Sequence, residues 1–130
     1  MFKIEAIQNS NRQKEIASKC QTVSRDGCFA YVMFDVDSGD VMGFSQFDIR
    51  DGVGIITDLR EPQGNNDFEA MFILGRSTMN FIDLCGAHSV KAPKDAAEES
   101  LIKAIGFKLQ ENGEYFCDMT GFFDGHCSGH

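Results

Sequence analysis

The sequence predicts one α/β (α+β) domain built on a mixed central β-sheet flanked by helices. Three observations carry this. A run of strand-like segments joined by tight turns fills residues 28–60. A long amphipathic pattern follows over 67–84, and a shorter strand, helix and hairpin close the chain. Consecutive hairpins give antiparallel pairing, whereas a helix between two strands requires a parallel crossover, so the sheet is mixed.

Phe2 to Ile7 alternates apolar and polar residues and reads as the first strand. Ser10 with Gln13 three residues on has the form of a capping box and opens a helix to about Cys20. Gln21 to Gly27 is a polar loop. Cys28 to Val36 is a strand rich in aromatic and β-branched residues. Asp37 to Asp40 is a turn, and Val41 to Arg50 is the next strand. Asp51-Gly52 is a strong two-residue hairpin signal, so Val53 to Arg60 continues the meander.

Glu61 to Asn66 is a loop, with Asn66 placed as N-cap of a helix from Asp67 to Leu84. Apolar or small residues at 68, 71, 72, 75, 79 and 82 have helical spacing, and Gly86 suits the stop. Ser89 to Ala92 is a short strand. Asp95 to Ile105 reads as a helix with acids at its start and Lys103 near its end, as the helix dipole favours. Phe107 to Gln110 and Glu114 to Thr120 form a closing hairpin around Glu111-Asn112-Gly113. Residues 1–130 thus form a single domain, with 121–130 as a tail.

Bulk properties narrow the function classes. The formal net charge is -8 and no Lys/Arg run occurs, so nucleic acid and anionic membrane surfaces are disfavoured partners. The N-terminus has no apolar signal region and no stretch of 18 apolar residues exists, so a soluble cytoplasmic protein is expected. The cysteine count is odd, at five, which favours free thiols or metal ligands over a disulfide framework.

The element order resembles that of the GNAT (general N-acetyltransferase) superfamily over most of the chain. The residues that carry the resemblance are Leu101-Ile102-Lys103-Ala104-Ile105-Gly106-Phe107-Lys108 and the passage Ile55 to Leu59, Gln63-Gly64, then the helix from Asp67. The resemblance implies an acetyl-CoA-dependent N-acetyltransferase acting on a small-molecule or protein amine. It also implies that the strand before the loop splays from the parallel strand after the helix. Backbone at Leu59, Gln63, Gly64, Asn65 and Asn66 would then hold the cofactor at a helix N-terminus, where unpaired N–H groups and partial positive charge favour an anion. Of the family's Q/R-x-x-G-x-G/A loop only the central Gly64 is kept. Arg60 adjoins the loop, Asp67 and Glu69 bring negative charge to the first turn, and Ile102 stands where many members have a tyrosine. Asp58 and Glu61 are the available general bases, and Tyr115 is a substitute acid.

A second class of reading is a non-catalytic GNAT-fold module acting by dimerisation and by metal or ligand sensing; a homodimer suits either class. Two C-x-x-H pairs, Cys85/His88 and Cys127/His130, have ligand types suited to tetrahedral zinc, with Cys117 and His126 in reserve. A C-x-x-H pair also supplies the minimum for a nucleophilic cysteine, but nothing further suggests a triad.

Overall fold

The computed structural model describes residues 1–123. Strands β1 (Phe2–Ala6), β2 (Phe29–Asp35), β3 (Val41–Arg50) and β4 (Val53–Arg60) form an antiparallel meander, with helix α1 (Ser10–Lys19) between the first two. Helix α2 (Phe68–Leu84) leads to β5 (Ser89–Ala92), and helix α3 (Glu99–Ala104) precedes the hairpin β6 (Lys108–Leu109) and β7 (Tyr115–Asp118). One sheet results, in the order β1-β2-β3-β4-β5-β7-β6. Among the described strands only β4 and β5 run parallel.

Alternation along β2 shows how the layers divide. Ala30 and Val32 face α1 and pack with Ile16, Ala17, Cys20 and Phe44. Met33 faces the other way, into the core under α2 and α3, with Phe47, Ile56, Leu74, Met79 and Ile105. Phe44 and Phe47, both essentially buried, anchor opposite faces of one strand. Each such ring contributes about 1.5–3 kcal/mol by leaving water. Gly54 lets α2 sit close to the sheet, because a Cβ there would stand 2.5 Å from Ile82 Cγ2.

The hairpin turn Asp51-Gly52 forms as the sequence predicts, with both residues at positive φ (53° and 79°), which suits the twist of the flanking strands. Several strand ends are a residue or two shorter than expected, and three helix starts differ. Asn9, not Ser10, caps α1: its Oδ1 accepts from the N–H groups of Asn11 and Arg12. Gln13 closes no capping box, because its side chain turns inward to Gln46. Asp67, not Asn66, caps α2, with Oδ1 accepting from Ala70 N–H at 3.0 Å. A carboxylate one residue closer to the helix satisfies the orphan donor and favours the dipole at once.

The largest difference is α3, which starts at Glu99 rather than Asp95. Pro93 opens a turn closed by the Ala96 N–H, and the Ala96 carbonyl then accepts from Leu59 N–H at 2.8 Å. A bond to β4 therefore holds residues 94–98 out of the helix. Asp95 and Glu98 lie before α3, and the acidic first turn keeps only Glu99.

Candidate functional site

The site lies where β4 and β5 part. Their parallel ladder has only two registers, Gly54 with Val90 and Ile55 with Lys91. Thr57 is an extra residue in β4, since Gln46 pairs with Asp58 while Phe47 pairs with Ile56. Beyond this bulge β4 runs free of β5 to Arg60. A bulge of this kind bends the strand and re-aims its side chains.

At the mouth of the opening is a cavity of ≈ 260 Å³ lined by Cys20, Gln21, Leu59, Arg60, Glu61 and Glu98, among others. The start of α2 closes it with Phe68 and Met71. Glu61 is one of the two proposed bases and lines this cavity. Burial pushes its pKa up; the bond it accepts from Asp67 N–H opposes that, and the charges of Glu98 and Asp67 add to the rise. The Cys20 thiol is buried and its pKa is pushed up to about 12, first by burial and then by Glu61. It is inert at neutral pH.

Asp58, the other proposed base, sits in a different setting. It is 1% exposed. Arg25 Nε donates to its Oδ2 at 2.6 Å and Arg25 Nη2 to Oδ1 at 3.3 Å. Thr22 Oγ1 donates to Oδ1 at 2.7 Å, and Gln46 Nε2 to Oδ2 at 2.9 Å. Burial raises the Asp58 pKa, but the Arg25 and Thr22 bonds outweigh it and the net shift is downward. Gln46 extends the network. Its Oε1 accepts from Gln13 Nε2 and Arg25 N–H, and its Nε2 also donates to the Val23 carbonyl.

The loop after β4 is partly closed on its own groups. Gly64, at φ 89°, takes the left-handed position of a tight turn in which Asn65 N–H donates to the Pro62 carbonyl at 3.0 Å. Asp67 N–H donates to Glu61 Oε2 at 3.2 Å. Leu59 N–H is taken by Ala96. The N–H groups of Gln63, Gly64 and Asn66 donate to no acceptor among the described residues. Arg60 Nε is buried and likewise unpartnered there, while its Nη2 donates to the Asp95 carbonyl. Buried Arg60 Nε and the three N–H groups on exposed loop residues are donors of the kind that hold phosphate, and to that extent these residues fit an acyl-CoA.

Tyr115 does not line the cavity that holds Glu61. It is 2% exposed and belongs to the core on the α2 and α3 face, paired with Ala92 and Leu109. Cys85 is exposed at the C-cap of α2, and Asp83 Oδ1 lies 2.6 Å from His88 Nδ1. Cys127, His130 and His126 lie outside the described residues. Cys117 is buried within the sheet. Among the described residues no group of three or more His, Cys, Asp or Glu could hold a metal, and no helix is long and apolar enough to cross a membrane.

Sequence reasoning missed Arg25, Thr22 and Gln46. The available signal was polarity in the wrong place: Gln46 shares the alternation of Phe44 in β3 and Asp58 that of Ile56 in β4, and buried polar groups require partners.

No protein-family model matches the sequence, and no curated protein matches it. Solved structures do resemble the chain. Tetrahymena GCN5 superposes with TM-score 0.71 at 10% identity, covering 90% of this chain and 96% of that one. A Bacillus subtilis acetyltransferase in complex with CoA gives 0.67 at 13%, covering 91% and 99%. The Escherichia coli GNAT family N-acetyltransferase YhbS, also in complex with CoA, gives 0.66 at 13%, covering 92% and 81%. The chain has the fold of the GNAT acetyltransferases, in a divergent sequence. The splay between β4 and β5, expected from the resemblance, is present.

Proposed function

We propose that the chain is an acyl-CoA-dependent N-acyltransferase, with acetyl-CoA as donor and a small-molecule or protein amine as acceptor. The observation that carries this reading is the cavity at the β4/β5 opening. It joins a carboxylate of raised pKa, Glu61, to anion donors on Arg60 and Asn66, and the free N–H groups of Gln63 and Gly64 follow in the adjoining loop. The donor's thioester supplies an activated acyl group. Arg60 and the loop N–H groups hold its phosphates. Glu61 takes a proton from the acceptor as the C–N bond forms and the C–S bond breaks, and the thiolate released is protonated from solvent. A base of raised pKa suits that task better than Asp58, whose pKa is lowered.

Two features favour a second reading, a non-catalytic module of the same fold. Ala96 occupies the Leu59 N–H, and Glu61 and Asp67 cap the start of α2 with negative charge. Calorimetry with acetyl-CoA separates the two. The acyltransferase reading requires saturable binding and thiol release in the presence of amines. Absence of heat at high micromolar acetyl-CoA favours the module.

A further inference from the structure

The segment Gln21–Gly27 lies over the polar face of β3 and β4 and is held there in an unusual way. None of its side chains is buried: Val23 is 65% exposed, and Gln21, Arg25, Asp26 and Gly27 are exposed as well. Its anchors on the sheet are polar, namely Thr22 and Arg25 on Asp58, and Val23 and Arg25 on Gln46. Both ends are in the left-handed region, Gln21 at φ 58° and Gly27 at φ 80°. Gln21 has a Cβ, so its conformation is strained by about 1 kcal/mol. Thr22 N–H also donates to the Ala17 carbonyl and Gln13 Nε2 to the Arg25 carbonyl, so the segment, without apolar burial, is a strap held by hydrogen bonds and one ion pair. Gln21, at one end of the segment, lines the cavity beside Glu61. The strap thus runs from the edge of the cavity over Asp58.

Lifting it would leave a carboxylate and a primary amide on the sheet, with three hydrogen bonds from Arg25 and Thr22 broken at Asp58. That vacancy demands a cation with several donors. The guanidinium of Arg25 has that chemistry, and so does an alkylammonium group. We propose that Asp58 and Gln46 form a recognition site for a cationic amine, and that Arg25 is its internal occupant. This rests on the acyltransferase reading and adds the acceptor class: a basic, lysine-like or polyamine nitrogen that displaces the Arg25 strap. Asp58 binds that nitrogen through the kind of ion pair that it makes with Arg25 in the closed state. The closed strap holds the amine site shut until a competing cation arrives.

The test measures amine binding without acyl-CoA, by calorimetry on the full chain. The probe is Nα-acetyl-lysinamide, and its uncharged norleucine analogue is the control. If the strap is closed nine-tenths of the time or more, Arg25→Ala tightens binding of the lysine probe about ten-fold or more. Gly27→Ala keeps Arg25, Gln46 and Asp58 but strains the closed backbone, and should tighten binding about five-fold. Asp58→Asn should abolish it in either background, and the norleucine analogue should not bind. Should Arg25→Ala not fold, Gly27→Ala decides. Unchanged affinity in folded Gly27→Ala, or full affinity in Asp58→Asn, overturns the proposal. Because acyl-CoA is left out, failure of acetyl-CoA to bind would sink the acyltransferase reading while leaving the amine result standing.

Discussion

Strands β3 and β4 present two faces of opposite character. Toward α2 they bury Phe47, Ile56 and Leu59, and the polar pair in that layer is neutral: Ser45 Oγ and Thr78 Oγ1 lie 2.9 Å apart, and Thr78 also donates to the Leu74 carbonyl. Toward α1 and the strap the same strands bury Gln46 and Asp58, with Arg25 half in water. Both polar groups are satisfied, so neither is a packing fault. The difference is charge. A hydroxyl pair can close a helix onto a sheet at little expense, whereas a buried carboxylate requires a cation and gives little net stability compared with apolar packing. Charge is placed near the end of β4, under the segment with no apolar grip, where the proposed amine site would use it.

The sharpest way to break this comparison is to strip the charged face of its cation. Arg25→Ala leaves Asp58 buried and unpaired, and about 3 kcal/mol of stability should be lost. Asp58→Ala should be milder, because Arg25 is 43% exposed and can turn to solvent. Urea denaturation of the two variants measures the asymmetry. Equal losses would mean that the pair acts as ordinary packing.

Acid titration sharpens the same point. In the wild type the Asp58 pKa is below its unfolded value. Its stabilising contribution is therefore complete above roughly pH 4 and disappears as pH falls through the lower folded value. Without Arg25, burial dominates and the folded pKa moves above the unfolded one. The contribution of Asp58 then reverses sign, and stability should rise as pH falls from about 7 toward 4. Urea melts of wild type and Arg25→Ala across that range read the slope difference directly.

The fold was largely legible because its strongest signals are local. The two-residue turn at Asp51-Gly52 fixed both flanking strands to the residue, Val41–Arg50 and Val53–Arg60. The helix before β6 was misjudged because a distant bond, Leu59 to Ala96, overrides its local pattern. The site was legible only in part for the same reason. Asp58 and Glu61 could be named from position, but Arg25 lies 33 residues from Asp58 in the chain. No spacing rule reaches across that gap, and only the misplaced polarity of Gln46 and Asp58 hints at it.

On the neutral face the expected effects are smaller. Thr78→Val removes the Ser45 partner and should cost about 1–2 kcal/mol by leaving one buried hydroxyl unsatisfied. Adding Ser45→Ala should recover much of that loss, since no polar group then remains unpaired. A double-mutant cycle by thermal or urea melting tests it. Failure of the second change to compensate would mean that this pair, too, does more than close the layer.

The smallest expected effect returns to the charged face. Thr22→Val keeps the shape of the side chain and removes one of the donors on Asp58. A single bond to a charged acceptor is worth about 1.5–3 kcal/mol when fully buried, and Thr22 is only half-buried, so a loss near or below 1 kcal/mol is expected. The informative readout is not stability alone. If the strap lifts as a unit, weakening one of its anchors shifts the whole segment toward the open state, and the backbone amides of residues 22–27 should exchange faster together. Faster exchange confined to Thr22 would show that the anchors act separately, and the two faces would then differ in charge but not in mobility.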